Sequence, residues 1–100
     1  MQIRLLEIAQ IEFDDSIEYY NLESDGLGDE FLVEVFHAID RIKNFPQAWH
    51  LFTDTTRRCL LRRFHYGIVY QILDSEILVI AVANLHRNPD YWKDRIKELS

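Results

Sequence analysis

Cysteine, proline, glycine and basic side chains are all scarce in this chain, and each shortage removes a class of protein. One cysteine, Cys59, cannot close an internal disulfide or supply a Cys-pair metal site. A lone thiol fits a reducing compartment, so a cytoplasmic location is expected. Four histidines, His37, His50, His65 and His86, are spread out without a tight cluster, and no metal site is expected from them. Three glycines and two prolines leave no linker, internal repeat or low-complexity tract. No apolar run approaches the ~20 residues that a membrane-spanning helix needs. The opening "MQIRLLEIAQIEFDD" has no basic start followed by an apolar stretch, so no signal peptide is expected.

Basic residues are outnumbered, 11 to 17, for a net charge of −6. That balance argues against strong non-specific binding to nucleic acid, which needs many phosphate-neutralising side chains. The charge is uneven. Residues 1–54 hold three basic and twelve acidic groups, a net of −9, whereas residues 55–100 hold eight and five, a net of +3. The second half can therefore present a positive surface on an acidic body.

What remains is a globular composition, 48% hydrophobic and 28% charged, sized for one small domain over residues 1–100. "QIRLLEI" alternates weakly and predicts a strand at about residues 2–7. Ala9, Phe13, Ile17 and Tyr20 then recur at steps of four, four and three, an apolar helical stripe with acidic residues on the other face. "SDGLG" breaks that helix, and Ser24 or Asp25 is expected to cap the next. A second helix is predicted at about residues 27–44, on Leu27, Phe31, Val35, Ile39 and Ile42, widened by Leu32 and Phe36 and ended by Pro46. The short connection makes the two an antiparallel hairpin. Three strands are predicted at about 57–64, 66–73 and 76–85, joined by short links into an antiparallel meander. Tyr66, Ile68, Tyr70 and Ile72 share one face of the middle strand. The last strand is apolar at both parities and is expected to be central. The fold class is thus α+β, a helical hairpin on one face of a mostly antiparallel four-stranded sheet. The other face needs the C-terminal tail, a partner chain or both. The expectation is that a guest polypeptide completes it beside a rim of arginines.

"EYYN", "GLGDEFLVEVFHAIDRIKNFP", "RRCLLRRFHYGIVYQI" and "AVANLHRNPDYWKDR" occur in that order. Together they resemble the RelE/ParE toxin superfamily, the plasmid-stabilisation proteins, and the ParE branch more than RelE. The specific parts are Gly-Leu-Gly-x-x-Phe, Phe-x-Tyr-x-Ile-x-Tyr and Arg-x-Pro-x-Tyr-Trp-x-x-Arg. Two positions depart from the branch: His65 stands where a proline is usual, and Asn84 stands where a histidine usually precedes the tail arginine, so His86 does not inherit that histidine's role. The resemblance implies a toxin of a type II toxin–antitoxin pair, wrapped by a small antitoxin, in a homodimer or a hetero-oligomer, with no membrane partner and no metal or organic cofactor. ParE-like members inhibit DNA gyrase; RelE-like members cleave messenger RNA on the ribosome. A non-toxic relic that still binds antitoxin is the third expectation.

Metal-independent RNA cleavage would need a base, a cation for the phosphorane and an acid. Arg62, His86, Arg87 and Tyr91 are the catalytic candidates, with His65 beside them, although a phenol titrating near 10 is a poor base. For partner binding the candidates are Arg58, Arg62, Arg63, Arg87, Tyr91, Trp92 and Arg95. Arg62 and Arg63, being adjacent on a strand, are expected on opposite faces, and Arg87 is expected to share a surface with Arg58 and one of them. A structural reading stands beside each. Arg87 and Arg95 can pair with Asp90, Asp94 or the acidic helices; Tyr91 and Trp92 can cap the open sheet face; the Arg57–Arg63 cluster can blunt a sheet edge. Cys59 reads as core, and Glu34 and Asp40 as solvated.

Overall fold

The computed structural model describes residues 1–97. Along the chain run β1 (Gln2–Leu5), α1 (Glu7–Glu23), α2 (Leu27–Asn44), β2 (Arg57–Leu60), β3 (Tyr66–Ile72), β4 (Glu76–Asn84) and a single helical turn, α3 (Asp90–Lys93). The sheet order is β1-β4-β3-β2, with β1 parallel to β4 and the other pairs antiparallel. The expected class holds, and the central place of β4 is as its composition demanded.

The two long helices meet where glycine allows it. Gly26 takes φ +82°, the left-handed conformation that turns the chain between them. Gly28 sits against α1 so closely that a Cβ there would lie 2.1 Å from the Ile17 carbonyl oxygen. Neither Ser24 nor Asp25 caps α2; Gly26 is the N-cap residue and offers no side chain. The cap comes from across the hairpin, where Asn21 Oδ1 accepts the Gly28 N–H at 2.7 Å. Asp29 and Glu30 in the first turn of α2, and Arg41 and Lys43 in its last, complement the helix dipole.

Ala9, Phe13, Phe31, Val35, Ala38 and Ile42 pack from the hairpin onto Tyr66, Ile68, Tyr70, Ile77, Val79 and Val82 of the sheet. Phe36 does not widen this core; it is 54% exposed, though its ring meets Phe13 edge-on with centroids 6.0 Å apart. An irregularity between Val69 and Tyr70 pairs Val69 with Ala81 and Tyr70 with Val79, leaving Ile80 extra in β4. Its consequence is a change of parity: Ile77 and Val79 face the helices before it, Val82 after it, while Ile80 and Ala81 both enter the opposite core.

That opposite core corrects one expectation. Val69, Leu78, Ile80, Ala81 and Ala83 are buried beneath Trp92, which is 1% exposed and lies 5.7 Å, centroid to centroid, from Phe52. Leu6, Leu73, Tyr91 and Ile96 complete the layer. The fully buried Gln71 side chain ties the tail down like a piece of strand, accepting from Lys97 N–H at 2.7 Å and donating to Lys97 C=O at 2.9 Å. The chain's own tail seals the second face, and no guest polypeptide is needed to finish the core.

Candidate functional site

The tail motif is shaped by its asparagines. Asn84 Oδ1 accepts the His86 N–H at 2.9 Å and Asn88 Oδ1 accepts the Asp90 N–H at 2.9 Å, two local turns that lead into α3. Asn84 thus has a turn-forming role here. Arg87 is thrown outward, and its guanidinium lies 3.8 Å from the centroid of Tyr91. Both line a cleft of about 210 Å³ with Glu12, Asp15, Ser16, Tyr66, Val82 and Asn84. At its floor the Ser16 hydroxyl donates to the Glu12 carbonyl at 2.8 Å and shares a 3.1 Å hydrogen bond with the Tyr66 hydroxyl. Sequence reasoning missed Ser16; its signal was a position three after Phe13 on the buried stripe.

Tyr66 and Asn84 also wall a second cleft of about 290 Å³, shared with Tyr20, Leu27, Arg63, Phe64, His65 and His86. The His65 and His86 rings stack at 5.0 Å with a 30° tilt, and the Leu85 N–H donates to the His65 carbonyl. Burial pushes the Tyr20 hydroxyl up, and it pushes Tyr91 up too, with the Glu12 carboxylate adding to burial and Arg87 and Arg95 opposing it. Tyr91 is therefore ionised even less near neutral pH than a free phenol, which leaves fewer phenolates to act as a general base.

The other candidates separate. Trp92 belongs to the core and offers no surface to a partner. Arg95 is inward: its guanidinium holds both oxygens of Glu12 at 2.9 and 3.1 Å, with side-chain exposures of 12% and 17%. This pair also closes the sheet edge beyond β1. β1 pairs with β4 only to Val79; past it, Glu12 Oε1 accepts the Val82 N–H at 3.2 Å and Arg95 donates to the Ile80 carbonyl at 3.1 Å. Arg58 lines a different cleft of about 370 Å³ with Trp49, Leu51, Phe52 and Leu60, its cation 4.0 Å from the Phe52 centroid.

β2 ends at Leu60, so the alternation expected of Arg62 and Arg63 does not apply. Both lie in the following bend, where their backbone N–H groups donate to Glu34 Oε1 at 3.1 and 3.2 Å. Glu34 is thus a loop anchor rather than a solvated acid. Arg63 also pairs with Glu30 at 3.2 Å, and exposed Arg62 lies outside both clefts at Tyr66. The expected common rim of Arg87, Arg58 and Arg62 or Arg63 does not form. The structure brings together Arg87, Tyr91, His65, His86 and Arg63 around Tyr66 and Asn84.

A family described as "ParE toxin of type II toxin-antitoxin system, parDE" has a model that matches residues 3–91. The chain belongs to the ParE toxin family. Among solved structures it is similar to a chain of the "Chromosomal ParDE TA system from P. aeruginosa", with 14% identity, 85% of this chain and 96% of that chain covered, and a TM-score of 0.65. At that identity the likeness speaks for the fold. Among curated protein sequences none matches this chain. The two clefts that share Tyr66 and Asn84 sit where β3 starts and β4 ends. Among the described residues no helix is long and apolar enough to cross a membrane, and no group of three or more His, Cys, Asp or Glu could hold a metal ion.

Proposed function

We propose that this ParE-family chain is a toxin that binds and inhibits DNA gyrase in the cytoplasm and is neutralised by a cognate antitoxin with which it forms a hetero-oligomer. The observation that carries this reading is the setting of Arg87. The tail arginine shares its small cleft with Asp15 and with Glu12, whose charge Arg95 already holds, so an RNA phosphate entering there would meet the exposed Asp15 carboxylate beside the one free cation of the cleft among the described residues. A protein surface bringing its own hydrogen-bond donors and an aromatic or aliphatic side chain suits such a cleft better. The net charge of −6 weighs the same way against docking on ribosomal RNA.

One observation favours the RelE-like alternative: Arg63, His65 and His86 line one cleft, a cation beside two imidazoles. Induction of the chain alone in bacteria separates the readings. Growth arrest with elongated cells and an induced DNA-damage response is expected. Rapid loss of translation with cut transcripts would assign the chain to the endonucleases instead, and normal growth with tight antitoxin binding would make it a non-toxic relic. Arg87→Ala is expected to relieve toxicity; undiminished killing by a stably folded variant would remove Arg87 from the site.

A further inference from the structure

The outer face of α1 is not simply acidic. Ile8, Ile11, Tyr19 and Leu22 stand 47%, 49%, 56% and 81% exposed. With Asp15 at its centre, the series steps by three, four, four and three, so the five side chains form one line down the solvent side of the helix. The opposite side of α1, carrying Ala9, Phe13 and Ser16, is the one buried in the fold. Four exposed apolar side chains aligned on one helix face, rather than scattered singly, are available to a partner.

Charge says what covers it. α1 contains no basic residue, and Glu7, Asp14, Asp15, Glu18 and Glu23 are all exposed, with no ion-pair partner among the described residues. A second copy of the chain fits poorly. Two seams crossing antiparallel about a two-fold axis would place Asp15 against its own copy, with Asp14 and Glu18 close by and nothing cationic to offset them. A different helix, apolar along one stripe and flanked by lysine or arginine, satisfies both features. We propose that the solvent face of α1 is a docking seam for an amphipathic helix of basic character. The seam adjoins the Arg87 cleft, which Asp15 and Glu12 help to wall, so one partner can cover both. The inference is drawn from exposure and charge and does not depend on what the chain inhibits.

The test uses the full chain and two synthetic peptides matched to the 17 residues of α1. Both carry leucine at the seam positions; one is flanked by lysine and its twin by glutamate. The lysine peptide is expected to bind and the glutamate twin not to, with backbone NMR shifts centred on Ile8, Ile11, Tyr19 and Leu22. Binding should weaken about tenfold or more in the double variant Ile11→Ser, Leu22→Ser, with an unfolding midpoint and helix content close to those of the wild type showing that the loss is at the seam; Leu22 is 81% and Ile11 49% exposed. Equal binding of the two peptides, shifts centred elsewhere, or binding of neither would overturn the proposal. So would a concentration-dependent dimer that the double variant abolishes, which would give the seam to a second copy.

Discussion

Glu12 and Arg95 lie 83 positions apart and close the edge of β4 that β1 is too short to cover. Removing one partner leaves a part-buried charge unpaired and one backbone group, the Ile80 carbonyl or the Val82 N–H, unserved. Arg95→Ala is therefore expected to cost about 3 kcal/mol or more in a denaturant titration, and Arg95→Lys to recover little, because an ammonium cannot hold both carboxylate oxygens and the Ile80 carbonyl at once. Gly28 is a second single-residue constraint. Gly28→Ala puts a methyl group into the Ile17 carbonyl and must push the hairpin apart; a loss of about 1–3 kcal/mol is expected, against a gain of about 0.4–1 kcal/mol for glycine to alanine at an unobstructed position. Arg87 contrasts with both. It has no ion-pair partner among the described residues, so Arg87→Ala should leave the unfolding midpoint near that of the wild type while reducing toxicity.

At the scale of elements, the tail behaves as the missing half of the sheet's cover. Trp92→Ala is expected to cost about 3–5 kcal/mol, comparable to removing a large aromatic from any core. Gln71→Leu should free the tail at Lys97 without disturbing the hairpin, visible as faster amide exchange confined to residues after α3. The sequence made α2 readable to its ends, because a glycine-bounded start, a regular apolar stripe and Pro46 all agree. β3 and β4 were readable from their apolar runs and the "DS" turn between them. The end of β2 was not, since it is set by Glu34 reaching from α2 to the Arg62 and Arg63 amides, a long-range contact with no local trace. Nor was the cap of α2, which comes from Asn21 on the neighbouring helix. The arginines illustrate the same limit. Their abundance was plain, but whether each faces a cleft, an acid or the core depends on the tail's path over the sheet. The apolar seam of α1 was hidden by the acids interleaved with it.

For the molecule as a whole, two thin cores share one central strand, and buried phenols make that arrangement sensitive to alkali. Burial pushes the Tyr70 hydroxyl, which donates to the Pro46 carbonyl at 2.6 Å, up to about 12. In the unfolded chain a phenol titrates near 10, so the unfolded state gives up its proton first. Stability is intact below about pH 10 and falls as pH rises toward 12, and Tyr20 and Tyr91 shift in the same direction. Tyr70→Phe should make that alkaline fall shallower while costing about 1 kcal/mol at neutral pH. The most direct measurement adds the purified chain to DNA gyrase acting on relaxed plasmid. The account predicts loss of supercoiling, reversed by the cognate antitoxin and much weaker with Arg87→Ala. Full supercoiling in the presence of excess chain that arrests growth in cells would contradict it.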